Sequence, residues 1–200
     1  MDSHTPYETF VVTSRHDGAQ TTIDRLHPQT GQATPAYVLH KTPGQKTAAV
    51  LYASAGPNAP AAGTFRHHSL SAATDVTLRG GPLFKMQLVA EDYPARKQVF
   101  ASPGGGGGGG ARFTWGKDAE TLSPRKLSFR DAATERVLGR YAMYPDGRAA
   151  GPRPTFALYV PPGTVDVDMF VVTGVAAMDL WAGEDEAGFK LLGKLFSFAG

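Results

Sequence analysis

The segment from Val165 to Ala182 constrains the fold more than any other part of the chain. Val167, Met169 to Val172, Val175 to Met178 and Leu180-Trp181 make it apolar on almost every side, and such a segment has to be enclosed. Its longest apolar stretch, Met169 to Met178, has ten residues before Asp179, about half of the roughly 20 needed to span a bilayer. The rest of the protein must therefore enclose it. Local propensity is divided: Val167, Val171, Val172, Thr173 and Val175 favour a strand, and Gly174 costs a helix about 1 kcal/mol relative to Ala. Length decides for a helix over Val165 to Ala182, with Asp166 and Asp168 near its positive N-terminal end.

What precedes this segment reads as strands. Tyr7 to Thr13, Thr21 to Leu26, Ala36 to Lys41 and Ala48 to Ala53 are short runs rich in β-branched or aromatic residues, separated by turn formers. Pro57-Asn58-Ala59-Pro60 makes a loop, and the series resumes with Thr74 to Arg79, Leu83 to Val89 and Gln98 to Ala101. Arg112 to Trp115, Lys126 to Arg130, Val137 to Ala142 and Thr155 to Val160 follow. Alternation is clean in Lys126 to Arg130, which predicts Leu127 and Phe129 inward and Lys126, Ser128 and Arg130 outward. Gly104 to Gly110 is a run without side chains, so 102–111 reads as a flexible Gly-rich hairpin loop.

Dense punctuation agrees with many short strands, since 24 Gly and 15 Pro occur in 200 residues. Hydrophobic residues at 42% and charged residues at 19% are enough for a single folded domain over 1–200, with 1–6 a flexible N-terminus. The absence of cysteine excludes disulfides, thiolate zinc sites and a cysteine nucleophile. The polar start Met1-Asp2-Ser3-His4 has no secretory or myristoylation signal, so the expected address is cytoplasmic.

Charge is uneven along the chain although its net value is only +2. Residues 79–153 carry 13 Lys and Arg against 7 Asp and Glu, a balance of +6, whereas residues 154–200 carry 2 against 6. The middle of the chain can therefore form a basic face.

The strand series, Arg112-Phe113-Thr114-Trp115, the Arg125 to Met143 hairpin and the nearly all-apolar Asp168-Met169-Phe170-Val171-Val172-Thr173 together resemble the tubby C-terminal-like superfamily. The likeness is greatest to its fungal branch of uncharacterised proteins, and it covers Tyr7 to about Ala182. The resemblance implies a mainly β fold, a closed barrel of about twelve short strands around a central hydrophobic C-terminal helix. Tubby-type domains bind phosphoinositides through basic side chains, but none of those positions can be matched residue by residue here. The Gly104 to Gly110 run and Gly174 inside the helix depart from the pattern.

Motifs for catalysis are weak. Gly104, Gly106 and Gly109 satisfy G-x-G-x-x-G only because any spacing fits a glycine run, and a strand follows where a helix is required. Gly188 to Lys194 matches the phosphate-loop spacing, but Leu195 stands where a hydroxyl should bind magnesium. His67-His68 reads as part of a polar loop, and neighbouring side chains on a strand would point apart. Asp166 with Asp168, and Glu184-Asp185-Glu186, lack a full set of oxygen ligands for calcium. Ser54, Ser69 and Ser71 lack a nucleophile-elbow context. The mixture of base and aromatic in Arg112 to Trp115 follows from strand alternation, so no nucleic-acid partner is expected.

The expectation is a non-enzymatic binding module with no metal and no cofactor. It engages anionic lipid headgroups at a membrane surface through Arg112, Arg125, Lys126 and Arg130, as a cytoplasmic or peripheral membrane protein without a transmembrane segment. The alternative is a protein-interaction or structural domain using the apolar tail Phe189 to Phe198, which reads equally as strand or helix. Oligomeric state is left open.

Overall fold

Side-chain alternation along short runs is realised as an antiparallel meander in the computed structural model. The structure describes residues 5–14, 21–41, 48–54, 59–68, 73–90, 96–103, 110–117, 126–143 and 153–182. The strands are β1 (Glu8–Ser14), β2 (Thr21–Leu26), β3 (Ala33–Lys41), β4 (Ala48–Tyr52), β5 (Ala61–His67) and β6 (Ala73–Leu78). They continue with β7 (Phe84–Ala90), β8 (Arg96–Ala101), β9 (Arg112–Lys117), β10 (Lys126–Asp131), β11 (Val137–Ala142) and β12 (Thr155–Leu158). Each pairs with the next, and β1 also pairs with β12 from Glu8 opposite Leu158 to Val11 opposite Thr155, which closes the barrel. Closure removes the open sheet edges that would otherwise invite another chain.

The helix α1 (Val167–Ala182) follows β12 and fills the interior. From Met169 to Met178 every residue is buried, including the uncharged polar Thr173. A helix buried on all sides accounts for the lack of a polar face in its sequence. It begins two residues later than Val165 because Asp166 is its cap: Asp166 Oδ1 accepts the Met169 N–H at 3.1 Å. Inside, Trp115 Nε1 donates to Thr173 Oγ1 at 3.0 Å, and that hydroxyl donates to the Met169 carbonyl, satisfying the buried indole.

Gly174 is explained by its neighbours. A Cβ there would lie 2.7 Å from the Phe156 ring and 3.0 Å from the Trp115 ring. The glycine lets two aromatic side chains rest on the helix backbone, at a cost in helix propensity of about 1 kcal/mol. Trp115, Phe129, Phe156 and Phe170 form the centre of this packing, with Trp115 and Phe129 centroids 5.1 Å apart and Trp115 and Phe170 5.4 Å apart.

Several element boundaries differ from the sequence reading, and one strand escaped it. Strand β3 starts at Ala33 and not Ala36, because a bulge between Ile23 and Asp24 lets Pro35 sit opposite Asp24 and extends the pairing. Ala61–His67 is strand β5, so the expectation of a polar loop is corrected for His67, while His68 follows the strand. Ala61-Ala62-Gly63 has low strand propensity, yet Ala62, Gly63 and Phe65 are buried between β4 and β6. The hairpin joining β8 and β9 is closed by Ser102 N–H donating to the Ala111 carbonyl at 2.9 Å. Residues 104–109 lie outside the described residues, as do 1–4.

Candidate functional site: a basic sector of the barrel wall

Which charges share a surface is decided by the pleat. Phe100, Phe113, Trp115, Leu127, Phe129 and Tyr141 point into the core, so their strand neighbours point outward. Arg112 on β9 and Lys126 and Arg130 on β10 are therefore on the outer face, as alternation predicts. Register adds two residues the sequence reading missed. Lys97 on β8 lies opposite Gly116, Gly116 opposite Ser128, and Ser128 opposite Arg140 on β11. Directly opposed residues of antiparallel strands share a face.

Arg112, Lys126, Arg130, Lys97 and Arg140 thus occupy one sector of wall, interspersed with Val99, Thr114, Gly116 and Ser128. No outward position of β8 to β11 is acidic. Arg112 and Arg130 are near one another: Arg130 lies opposite Thr114, and the Ala132 N–H donates to the Arg112 carbonyl at 2.9 Å. Lys126 is on the same face four residues further along β10, about 14 Å away at 3.4 Å per residue. Arg125 lies outside the described residues. Alternation in β8 and β11 held the signal for Lys97 and Arg140, but their adjacency to the others depends on register.

The turn between β10 and β11 borders this face. Asp131 Oδ1 accepts the N–H of Ala133 at 2.9 Å and of Thr134 at 2.8 Å, and the Thr134 hydroxyl at 3.0 Å. The Thr134 N–H, then its hydroxyl and the Ala133 N–H, hold this carboxyl below the usual carboxylate range against a small opposing effect of burial. Glu135 follows with φ of 55°, a left-handed backbone that is uncommon outside glycine. Its carboxylate accepts from Lys97 Nζ at 3.4 Å, and its carbonyl accepts from Arg130 Nη1 at 3.1 Å.

Two further polar groups tie α1 to the wall. Asp168 and Asp179 are eleven residues apart, about three helical turns, and so share one face of the helix. At the first turn Tyr37 donates to Asp168 Oδ1 at 2.7 Å, and Arg79 donates to Asp168 Oδ2 at 2.7 Å and to Asp166 Oδ1 at 3.0 Å. Burial first, then the bond to Asp168, keeps the Tyr37 phenol protonated well above its ordinary range. The bond to Asp168 likewise raises the pKa of Arg79. The two carboxylates therefore serve the start of the helix.

At the other end Gln98 Nε2 donates to Thr74 Oγ1 at 3.2 Å, Thr74 Oγ1 meets His67 Nδ1 at 2.8 Å, and His67 Nε2 meets Asp179 Oδ2 at 3.1 Å. A hydroxyl, an imidazole and a carboxylate in line are the parts of a nucleophile relay. Here the hydroxyl belongs to a residue only 1% exposed, so the chain acts as a tie between β8, β6, β5 and α1. His68 faces away from His67 and bonds Asp75 at 2.7 Å.

Among the described residues no three His, Asp or Glu side chains gather as cation ligands. No described helix is long and apolar enough to cross a membrane. Ser54 is exposed after β4, whereas Ser69, Ser71, Glu184-Asp185-Glu186, Gly188 to Lys194 and the Phe189 to Phe198 tail lie outside the described residues.

No protein-family model matches the chain, and no curated protein matches its sequence. Among solved structures, the fold is similar to the X-ray structure of a protein from Arabidopsis thaliana, with a TM-score of 0.51. That similarity covers 88% of this chain and 91% of the plant protein at 12% sequence identity, which shows a shared fold.

Proposed function

We propose that the chain is a non-enzymatic domain of the tubby C-terminal-like type, akin to its fungal branch, that binds anionic lipid headgroups through the outer face of β8 to β11. The observation that carries the reading is the run of five outward basic side chains on four adjacent strands with no acidic residue at an outward position. The side chains between them are short, and a row of cationic groups on one wall suits a layer of phosphates. The twelve-stranded barrel around an apolar helix supports the tubby-like assignment. A cytoplasmic protein that docks peripherally on a membrane fits this reading.

Phosphatidylcholine vesicles with and without phosphatidylserine test it by co-sedimentation over a range of salt. Wild type should bind only the anionic vesicles and release as salt shortens the Debye length, about 10 Å at 0.1 M. Replacing Arg112, Lys126 and Arg130 together with Gln should weaken binding by up to about 3 kcal/mol, at about 1 kcal/mol per basic residue near the surface. Equal binding by wild type and the triple variant would remove this face from the mechanism.

A further inference from the structure

Lys97 and Arg130 stand on β8 and β10, with β9 between them, and both are held by Glu135 in the β10–β11 turn. The two contacts bring that turn across the outer face of β9. Thr114, an outward position of β9, is only 2% exposed, as expected of a residue beneath such a crossing. The turn is not a relaxed one, because Glu135 has a left-handed backbone that favours glycine. Its shape is fixed instead by Asp131, which accepts three hydrogen bonds from Ala133 and Thr134. The result is an acidic side chain suspended over strands whose outer face is otherwise basic.

We propose that Glu135 is a built-in competitor for the ligand: its carboxylate occupies Lys97, and a phosphate-bearing ligand gains that lysine by displacing it. This rests on the reading of the face as a headgroup site and assigns its regulation. The Glu135 side chain is 55% exposed and that of Lys97 22%. An ion pair so open to water is worth about 1 kcal/mol or less, weak enough for an incoming anion to replace. Losing the carboxylate therefore removes a repulsive charge from the approach of the ligand and one of the contacts that hold Lys97.

The same vesicles provide the test, with Glu135→Gln to remove the charge, Glu135→Gly to remove the side chain while suiting the left-handed backbone, and Asp24→Asn as a control. Asp24 lies on β2, across the barrel, and its replacement makes the same change in net charge. Both Glu135 variants should bind phosphatidylserine vesicles about fivefold more tightly than wild type, the equivalent of about one basic residue at the surface. Asp24→Asn should match wild type in binding, and every variant should melt cooperatively within a few degrees of wild type. Wild-type binding that is lost in the Arg112, Lys126 and Arg130 variant but unchanged in both Glu135 variants overturns the competitor role alone. An equal gain from Asp24→Asn also overturns it, as an effect of bulk charge. Binding by the Glu135 variants when wild type does not bind supports complete occlusion by the turn. If none of the proteins binds, the competitor role and the headgroup site fall together.

Discussion

Gly63 on β5 and Val172 on α1 approach so closely that a Cβ on the glycine would lie 2.8 Å from a Val172 methyl carbon. The same Cβ would lie 2.7 Å from the Thr77 backbone carbonyl on β6. The helix is thus seated against β5 and β6, while the aromatic cluster fills the space towards β9, β10 and β12. Gly139 on β11 makes a second such approach: a Cβ there would lie 2.6 Å from the Phe170 ring.

Gly63→Ala should destabilise the barrel by about 1 to 3 kcal/mol through overpacking. Val172→Ala in the same chain should recover part of the loss and not all of it, since the valine methyl groups yield but the Thr77 carbonyl does not. Urea unfolding of the two single variants and the double variant measures the coupling. Strict additivity would mean that the two residues do not compete for one space.

Val172→Asp probes whether the helix is enclosed. Val172 is 0% exposed, so a carboxylate there has neither water nor a partner and should cost several kcal/mol as a buried charge or a forced proton. Domains hold about 5 to 15 kcal/mol in reserve, and the variant should unfold or aggregate. A cooperative melt within a few degrees of wild type would contradict burial of α1.

The helix was the most legible element because Met169 to Met178 offers no polar face under any period, a property that only enclosure explains. Alternation likewise exposed the orientation of Leu127, Phe129, Lys126 and Arg130. Strand β5 was hidden for the reason that makes it work: Gly63 gives room to Val172 but removes the β-branched signature of a strand. Barrel closure pairs Glu8 with Leu158, and the ties pair His67 with Asp179. Such partners are far apart in sequence and leave no local pattern. For the candidate site, Arg112 and Arg130 could be placed outward but not side by side, and the contact of Glu135 with Lys97 depends on a turn reaching over an intervening strand.

The β10–β11 turn should respond to acid. The Asp131 carboxyl has a folded pKa below its ordinary value of about 3.9, so its contribution is full above that ordinary value and is lost as pH falls through the lower folded one. Amide exchange at Ala133 and Thr134 should therefore quicken relative to the core strands at the acid end of a titration. Asp131→Asn should show quick exchange at neutral pH with no further response to acid. Exchange that is identical in both proteins across the range would mean that the carboxylate does not hold the turn.

The tie at the first turn of α1 makes the opposite prediction at the alkaline end. Tyr37 is 4% exposed and donates its phenolic proton to Asp168, while Arg79 neutralises the same carboxylate from the other side. Ionising the phenol would bury one anion against another, which is why its folded pKa lies well above the ordinary value of about 10. In the unfolded chain the phenol ionises at that ordinary value. Stability supplied by Tyr37 is thus complete below about pH 10 and declines as pH rises above it, because the unfolded state releases a proton that the folded state retains. Tyr37→Phe should cost about 1.5 to 3 kcal/mol at neutral pH, the range for a hydrogen bond to a charged group. Its stability should also fall less steeply than that of wild type above about pH 10. All other tyrosines are common to both proteins, so the difference between the two urea-unfolding curves isolates Tyr37. Parallel curves through the alkaline range would show that the phenol ionises as readily in the barrel as in the open chain, and that Asp168 is held by Arg79 alone.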